Sequence, residues 1–219
     1  TNLNQPESRR NRLYINRQDG TFKDEAKEYG LDDNSYSVQS AFFDFDGDGD
    51  LDLYLLNYNS DHIPANEWEN SKFKRDPYAG DKLYENRNGK FVDISTAAGI
   101  KGTPLGYGLG VAVGDINGDS WPDIYVSNDF VEPDYLYINN RNGTFTELMS
   151  EYFQHISHFS MGSNLNDFNN DGAVDLFTLD MLPEDNKRQK LLYGPENYEK
   201  YARRVASGFY FQDMRNMLH

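Results

Sequence analysis

Asp44-Phe45-Asp46-Gly47-Asp48-Gly49-Asp50-Leu51-Asp52 decides how the rest of the chain is read. Five aspartates in nine residues cannot lie inside a core, so the stretch is a surface loop. The same phrase returns as Asp115-Ile116-Asn117-Gly118-Asp119-Ser120-Trp121-Pro122-Asp123. It returns again as Asp167-Phe168-Asn169-Asn170-Asp171-Gly172-Ala173-Val174-Asp175. Short apolar runs flank the loops, for example Ala41-Phe42-Phe43 before and Leu53-Tyr54-Leu55-Leu56 after. Shortness and aromatic or β-branched content favour strands on both sides.

Ahead of each loop stands a second repeated phrase. Leu13-Tyr14-Ile15-Asn16 leads to Asp19-Gly20-Thr21-Phe22, Leu83-Tyr84-Glu85-Asn86 to Asn88-Gly89-Lys90-Phe91, and Leu136-Tyr137-Ile138-Asn139 to Asn142-Gly143-Thr144-Phe145. Asp-Gly or Asn-Gly between apolar runs predicts a hairpin closed by a type I′ turn, which needs positive φ at both central residues. From hairpin Leu to first loop Asp the offset is 31, 32 and 31 residues, so the two phrases recur in step. The connectors from Glu25 to Leu31 and Ile94 to Ile100 suit one helical turn ending at Gly30 or Gly99.

One unit is a hairpin, a connector, a strand, an acidic loop and a fourth strand. The expected fold is all-β, a β-propeller of four-stranded blades. The repeats fall at about 8–81, 82–134 and 135–214 within a single segment, 1–219. A further repeat begins at 215–219, where Arg215-Asn216-Met217-Leu218 resembles Arg10-Asn11-Arg12-Leu13. About three blades do not close a ring, so the expectation is a piece of a larger propeller. Consistent with that expectation, the sequence starts at Thr1 without an initiator Met.

In each acidic loop, side-chain oxygens stand at positions 1, 3, 5 and 9, with a backbone carbonyl available at position 7. A hard cation taking six to eight oxygens suits that set. The expected ligands are Asp44, Asp46, Asp48 and Asp52; Asp115, Asn117, Asp119 and Asp123; and Asp167, Asn169, Asp171 and Asp175. The carbonyls of Asp50, Trp121 and Ala173 complete them. An EF-hand is rejected, because position 12 is Leu55, Val126 or Thr178 and the flanks read as strands. Magnesium is disfavoured by its preference for keeping waters. Three calcium ions would move the formal charge from −15 to −9. The position-8 residues Leu51, Pro122 and Val174 are expected to point into the blade, and Ser120, where the other loops have Gly, is expected to be strained.

The 36 acids against 21 bases make nucleic acid an improbable partner. No cysteine is present for thiolate chemistry, and no apolar run is long enough to span a membrane. The sequence lacks a nucleophile elbow, a phosphate-cradling loop and a dinucleotide fingerprint, so no enzyme activity is expected. His155 and His158 lack a third ligand and are expected to be packed or surface residues. Two long insertions, 57–80 and 182–214, leave the repeat at the same point and therefore share one face. They carry candidate partner-binding residues Trp68, Arg75, Tyr78, Tyr198 and Arg203. A competing expectation is that the insertions pack on each other. A short helix from Pro195 is expected to carry Tyr198, Tyr201, Ala202 and Val205 as a stripe.

These acidic loops, with Gly-rich lead-ins such as Gly106-Tyr107-Gly108-Leu109-Gly110-Val111, resemble FG-GAP or VCBS repeats, the calcium-binding blades of integrin-α-like propellers. Hairpin and loop together look more narrowly like the cartilage acidic protein (ASPIC/UnbV) type. Stretches such as Asp123-Ile124-Tyr125-Val126-Ser127-Asn128-Asp129 and Leu179-Asp180-Met181-Leu182-Pro183-Glu184-Asp185 are similar to large Bacteroidetes members. The resemblance implies a seven-bladed ring exported to the extracellular or bacterial outer-membrane surface, with a lipoprotein-type anchor. It implies a binding role toward a protein partner or a glycan, as an accessory of a nutrient-uptake or adhesion assembly. The alternative is a polysaccharide-binding or polysaccharide-degrading propeller domain.

Overall fold

The computed structural model describes residues 5–59, 61, 63–192 and 198–219, apart from the side chains of residues 192, 198 and 200. Strands β1 (Tyr14–Asn16) and β2 (Phe22–Asp24) form a hairpin by themselves. The single turn α1 (Ala26–Tyr29) follows and stops at Gly30, whose φ of 84° is left-handed. A Cβ on Gly30 would lie 3.0 Å from the carbonyl oxygen of Phe91, so glycine serves both the cap and the close approach.

The first full sheet is the antiparallel ribbon β3 (Ser37–Phe43), β4 (Asp52–Asn57), β5 (Lys82–Asn86) and β6 (Phe91–Asp93). The turn α2 (Trp68–Ser71) lies in the excursion between β4 and β5. The second sheet repeats the order with β7 (Gly108–Gly114), β8 (Asp123–Asn128), β9 (Tyr135–Asn139) and β10 (Phe145–Glu147). After α3 (Met149–Tyr152) and the short β11 (Ile156–Ser157) come β12 (Ser160–Asn166) and β13 (Asp175–Asp180). Helices α4 (Asn186–Leu192) and α5 (Tyr198–Ala206) precede β14 (Gln212–Asp213), which pairs with β11, and β15 (Met217–Leu218), which joins β12 and β13 in a third sheet. The expected helix start at Pro195 lies outside the described residues.

The sheets are phased differently from the sequence repeats. Because β4 pairs with β5, the hairpin that opens one repeat completes the sheet begun in the repeat before it. Turn chemistry differs too. Of the three hairpin turns, only Asn88-Gly89 has positive φ at two adjacent residues. In the other two hairpins the left-handed residues are Gln18 with Gly20 and Arg141 with Gly143. Between them Asp19 and Asn142 accept hydrogen bonds from Thr21 and Thr144, which stabilises a loop one residue longer.

Strands β4 and β8 are buried along their whole length. On β4, Tyr54 and Leu56 pack toward the second sheet with Ile124, Val126 and Tyr137, while Leu53 and Leu55 pack with Leu13 and Leu31 on the other side. Tyr125 and Leu136 pack with Ile156 and Leu176 toward the third sheet. The sheets thus stack face to face, like successive blades. Strand β7 lies between β3 and β12. A Cβ on Gly110 would come within 2.9 Å of Gly162 Cα, so the Gly-rich lead-in is what allows this approach.

One buried carboxyl ties the strands at the end of each full sheet. Asp81 accepts hydrogen bonds from Tyr54 Oη (2.9 Å) and Asn57 N (2.9 Å). Asp134 accepts from Tyr125 Oη (2.5 Å), Asn128 N (2.8 Å) and Ser160 Oγ (2.9 Å). In the third sheet Phe177 replaces the tyrosine, and Asn216 Oδ1 accepts from Asp180 N instead. Burial pushes Asp81 and Asp134 up to about 7. Both folded values lie above the unfolded one, so the folded state holds the protons more tightly. Stability is then greatest at low pH and declines as pH rises to about 7. In saturating calcium, the melting temperature is expected to fall from pH 5 to pH 8. A double Asp81→Asn, Asp134→Asn variant, mimicking the third sheet, should show a flatter profile; an identical slope would contradict this assignment.

Candidate metal centres

Each acidic loop joins an inner strand to its neighbour, β3 to β4, β7 to β8 and β12 to β13. Since the strands alternate in direction, the loops and hairpin turns share one rim, and the insertion between β4 and β5 lies on the other. The first and second loops approach each other. Asn139 Nδ2 donates to the carbonyl of Phe45 (2.8 Å), and a Cβ on Gly47 would meet the Trp121 ring at 3.3 Å.

Within the loops the side chains fold the backbone around themselves. Asp44 accepts from the N–H groups of Gly47 (2.7 Å) and Gly49 (3.0 Å), and Asp48 from that of Asp50 (2.9 Å). The pattern recurs with Asp115 accepting from Asp119 N and Ser120 N, and Asp167 from Asp171 N and Gly172 N. Carboxylate oxygens of Asp44, Asp46 and Asp48 come within 4.8 Å of one another. Asn117 and Asn169 supply an amide oxygen at position 3 and donate their Nδ2 to Asp119 and Asp171.

The charge state differs among the loops. Burial, with repulsion from Asp48 and Asp44, raises the Asp46 carboxyl, and burial with repulsion from Asp48, Asp46 and Asp44 raises Asp50. Asp50 Oδ1 is hidden from solvent and accepts no hydrogen bond. In the second loop Arg141 pairs with Asp119 at 2.8 Å and lowers its carboxyl. In the third, the N–H of Ala173 and the Asn169 amide lower Asp171. The all-oxygen donor set fits a hard cation, and the first loop has the largest electrostatic need of one.

The position-9 aspartates also serve as clasps, a role their spacing does not announce. Asp52 is 1% exposed and accepts from Phe45 N (3.2 Å) and, across the sheet, from Asn86 N (2.8 Å). Asp123 does the same with Ile116 N and Asn139 N, both at 2.9 Å. Asp175 accepts from Phe168 N at 2.9 Å. The position-8 residues, expected to point inward, do not: Leu51 is 55% exposed, Val174 is exposed and Pro122 half-buried. The strand begins one residue later, and period-two alternation turns the aspartate inward instead. Position 6 is left-handed in all three loops, with φ of 92° at Gly49, 71° at Ser120 and 90° at Gly172. Ser120→Gly is expected to stabilise the fold by about 1 kcal/mol, a rise of about 2–4 °C in melting temperature. No rise on thermal melting would show that the serine is accommodated without strain.

On the opposite rim the two insertions pack on each other. Trp68 is only 9% exposed, stacks edge-on against Phe209 at 6.0 Å and donates to the carbonyl of Ile63. That corrects its expected place on a partner-facing surface, because the indole is used to join the insertions. Arg75 and Arg203 are exposed, and Tyr78 is exposed near Arg9. The Tyr198 side chain lies outside the described residues. His158 is buried beside Arg204, and His155 is half-buried beside Arg215.

Comparison with known proteins agrees with the repeat. The FG-GAP-like repeat model matches residues 4–55, 75–126 and 115–178. No curated protein matches the chain. A solved structure of an Agrocybe aegerita lectin, described as recognising non-reducing terminal N-acetylglucosamine, is similar at 17% identity with a TM-score of 0.39. The match covers 78% of this chain and 41% of that one, so the chain spans about two-fifths of the lectin's length.

Proposed function

This chain belongs to the FG-GAP-like repeat family, and from that premise we propose that it is a calcium-stabilised β-propeller segment acting as an extracellular binding module. The observation that carries the calcium reading is the convergence of Asp44, Asp46 and Asp48 on one point, within a backbone course that the other two loops repeat. The ligand sets are those of positions 1, 3, 5 and 9 with the position-7 carbonyl, one ion per loop. The oxygens of Asp52, Asp123 and Asp175 have lone pairs beyond those their backbone bonds use. Calcium supplies charge neutralisation and cross-linking within each loop.

Stacked sheets with buried β4 and β8 but a partly exposed β13, where Leu179 is 48% exposed, support further blades around a closed ring. Seven blades and the cartilage acidic protein type are the narrower form of this reading. Millimolar calcium outside cells saturates such sites, whereas submicromolar cytosolic calcium leaves the acidic loops repelling themselves. The reading therefore places the protein at the cell surface, bacterial by resemblance, with binding rather than catalysis as its role. Protease shaving of intact cells should release it, and complete protection would count against a surface location.

Trp121 provides a direct test, since its ring bridges the first two loops. Its fluorescence should change on calcium titration with a midpoint of about 10⁻⁴ to 10⁻³ M. Equimolar magnesium should give a much smaller change. Equal responses to both cations would sink the calcium assignment.

A further inference from the structure

In a chain with 36 acidic and 21 basic residues, four cations and a single acid line one cavity on the insertion rim. Its volume is about 420 Å³, and Lys72, Lys74, Arg75 and Lys101 stand around it with Phe73 and Glu132. The first insertion, the β6–β7 connector, the β8–β9 connection and residues 208–209 each contribute to the wall. Among the described residues, Lys72, Lys74 and Arg75 have no carboxylate oxygen within 4.0 Å. Only Lys101 has an ion-pair partner, Glu147 at 2.7 Å.

Lys72 and Arg75 are held by neutral groups. Lys72 Nζ donates to the Ser207 carbonyl at 2.6 Å and lies 5.0 Å from the Phe73 ring centroid. Arg75 donates to the carbonyls of Ile100 (3.1 Å) and Asp81 (2.6 Å), which uses two of its five N–H donors. Gly102 leaves room for that guanidinium, since a Cβ there would clash with Nη1. The one lining acid, Glu132, is 4% exposed; Oε1 accepts from Tyr135 Oη, and Oε2 has no hydrogen-bond partner. Burial pushes its carboxyl up to about 7, so near neutral pH it carries only part of a negative charge. Phe73, also in the lining, is 86% exposed.

Cations that line one cavity with little acidic compensation repel one another, and a bound anion relieves that cost. The chain's overall charge of −15 disfavours an extended polyanion, whereas a small anion meets only the local positive field. We infer that this cavity binds a small oxyanion of about monosaccharide size, its carboxylate or sulfate held by Lys72, Lys74 and Arg75 and its apolar face resting on Phe73. A volume near the lower end of ligand sites fits that size. The site is on the rim away from the acidic loops and does not depend on the calcium reading.

Isothermal titration of the whole chain, in saturating calcium and low salt, tests it with glucuronate, glucose 6-sulfate and glucose. Saturable binding of at least one anion is expected, weakening as salt is raised, with no binding of glucose. The stronger of the two anions identifies the carboxylate or the sulfate as the preferred group. Lys74 is exposed, so Lys74→Glu should leave the melting temperature unchanged and weaken binding by about tenfold. Phe73→Ala should weaken the sugar anion by about fivefold and leave inorganic sulfate unaffected. The inference is overturned if the folded protein binds neither anion, if glucose binds as tightly, or if folded Lys74→Glu retains wild-type affinity. Melting curves recorded in calcium and in chelator distinguish such a failure from failure of the calcium reading.

Discussion

Calcium added to chelator-treated protein is expected to raise its melting temperature by about 20 °C. Ions that bind only the folded loops stabilise by mass action, about 2.7 kcal/mol per site at one hundred times the dissociation constant. Three sites give about 8 kcal/mol, and a domain of this size shifts by about 2–4 °C per kcal/mol. The effect should be largest through the first loop, where Asp44, Asp46 and Asp48 crowd together and burial and like charge raise Asp46. The second loop should contribute least, because Arg141 already occupies Asp119. A differential scanning calorimetry trace that does not move between excess chelator and about 10 mM calcium, roughly a hundred times a 10⁻⁴ M dissociation constant, would contradict a structural role for the ion.

The second large effect separates two kinds of aspartate in one loop. Asp52→Ala is expected to cost about 2–5 kcal/mol already in chelator, and more in calcium, where the position-9 ligand is lost as well. It strips the hydrogen-bond acceptor from the N–H groups of Phe45 and Asn86 at a buried position, and each orphaned donor costs about 1–3 kcal/mol. Asp46→Ala should behave differently. In chelator it relieves repulsion from Asp44 and Asp48 and leaves the melting temperature unchanged or raised. In calcium it removes a ligand and lowers the melting temperature. Urea melts of both variants, each in chelator and in calcium, read the contrast. Parallel losses for both variants in both conditions would show that Asp46 is a clasp like Asp52 and not a ligand.

What was legible in the sequence was local. The loops, the hairpins and the turns ending at Gly30 and Gly99 are each set by residues within a few positions of one another, and they stand where the spacing put them. Pairing between elements was harder to read. That β5–β6 completes the sheet of β3–β4 depends on Leu53, Tyr54 and Leu55 meeting Tyr84, Leu83 and Lys82 across an excursion whose length carries no pairing signal. The clasp role of Asp52 depends on Asn86, 34 residues away. A one-residue shift in the strand start reversed the expected facing of Leu51 and Asp52. Trp68 read as a surface anchor because its partner Phe209 is remote in sequence. The cationic cavity is assembled from residues 72–75, 96–103, 132–133 and 208–209, and no single segment contains enough of it to be recognised.

The expected calcium stoichiometry is one ion per acidic loop. Native mass spectrometry of the calcium-equilibrated chain measures it most directly, because it counts bound ions on the folded protein. The expected count is three, falling to two in each of Asp46→Ala, Asp119→Ala and Asp171→Ala. A folded protein carrying no calcium, or a count that none of the three substitutions changes, would contradict the account.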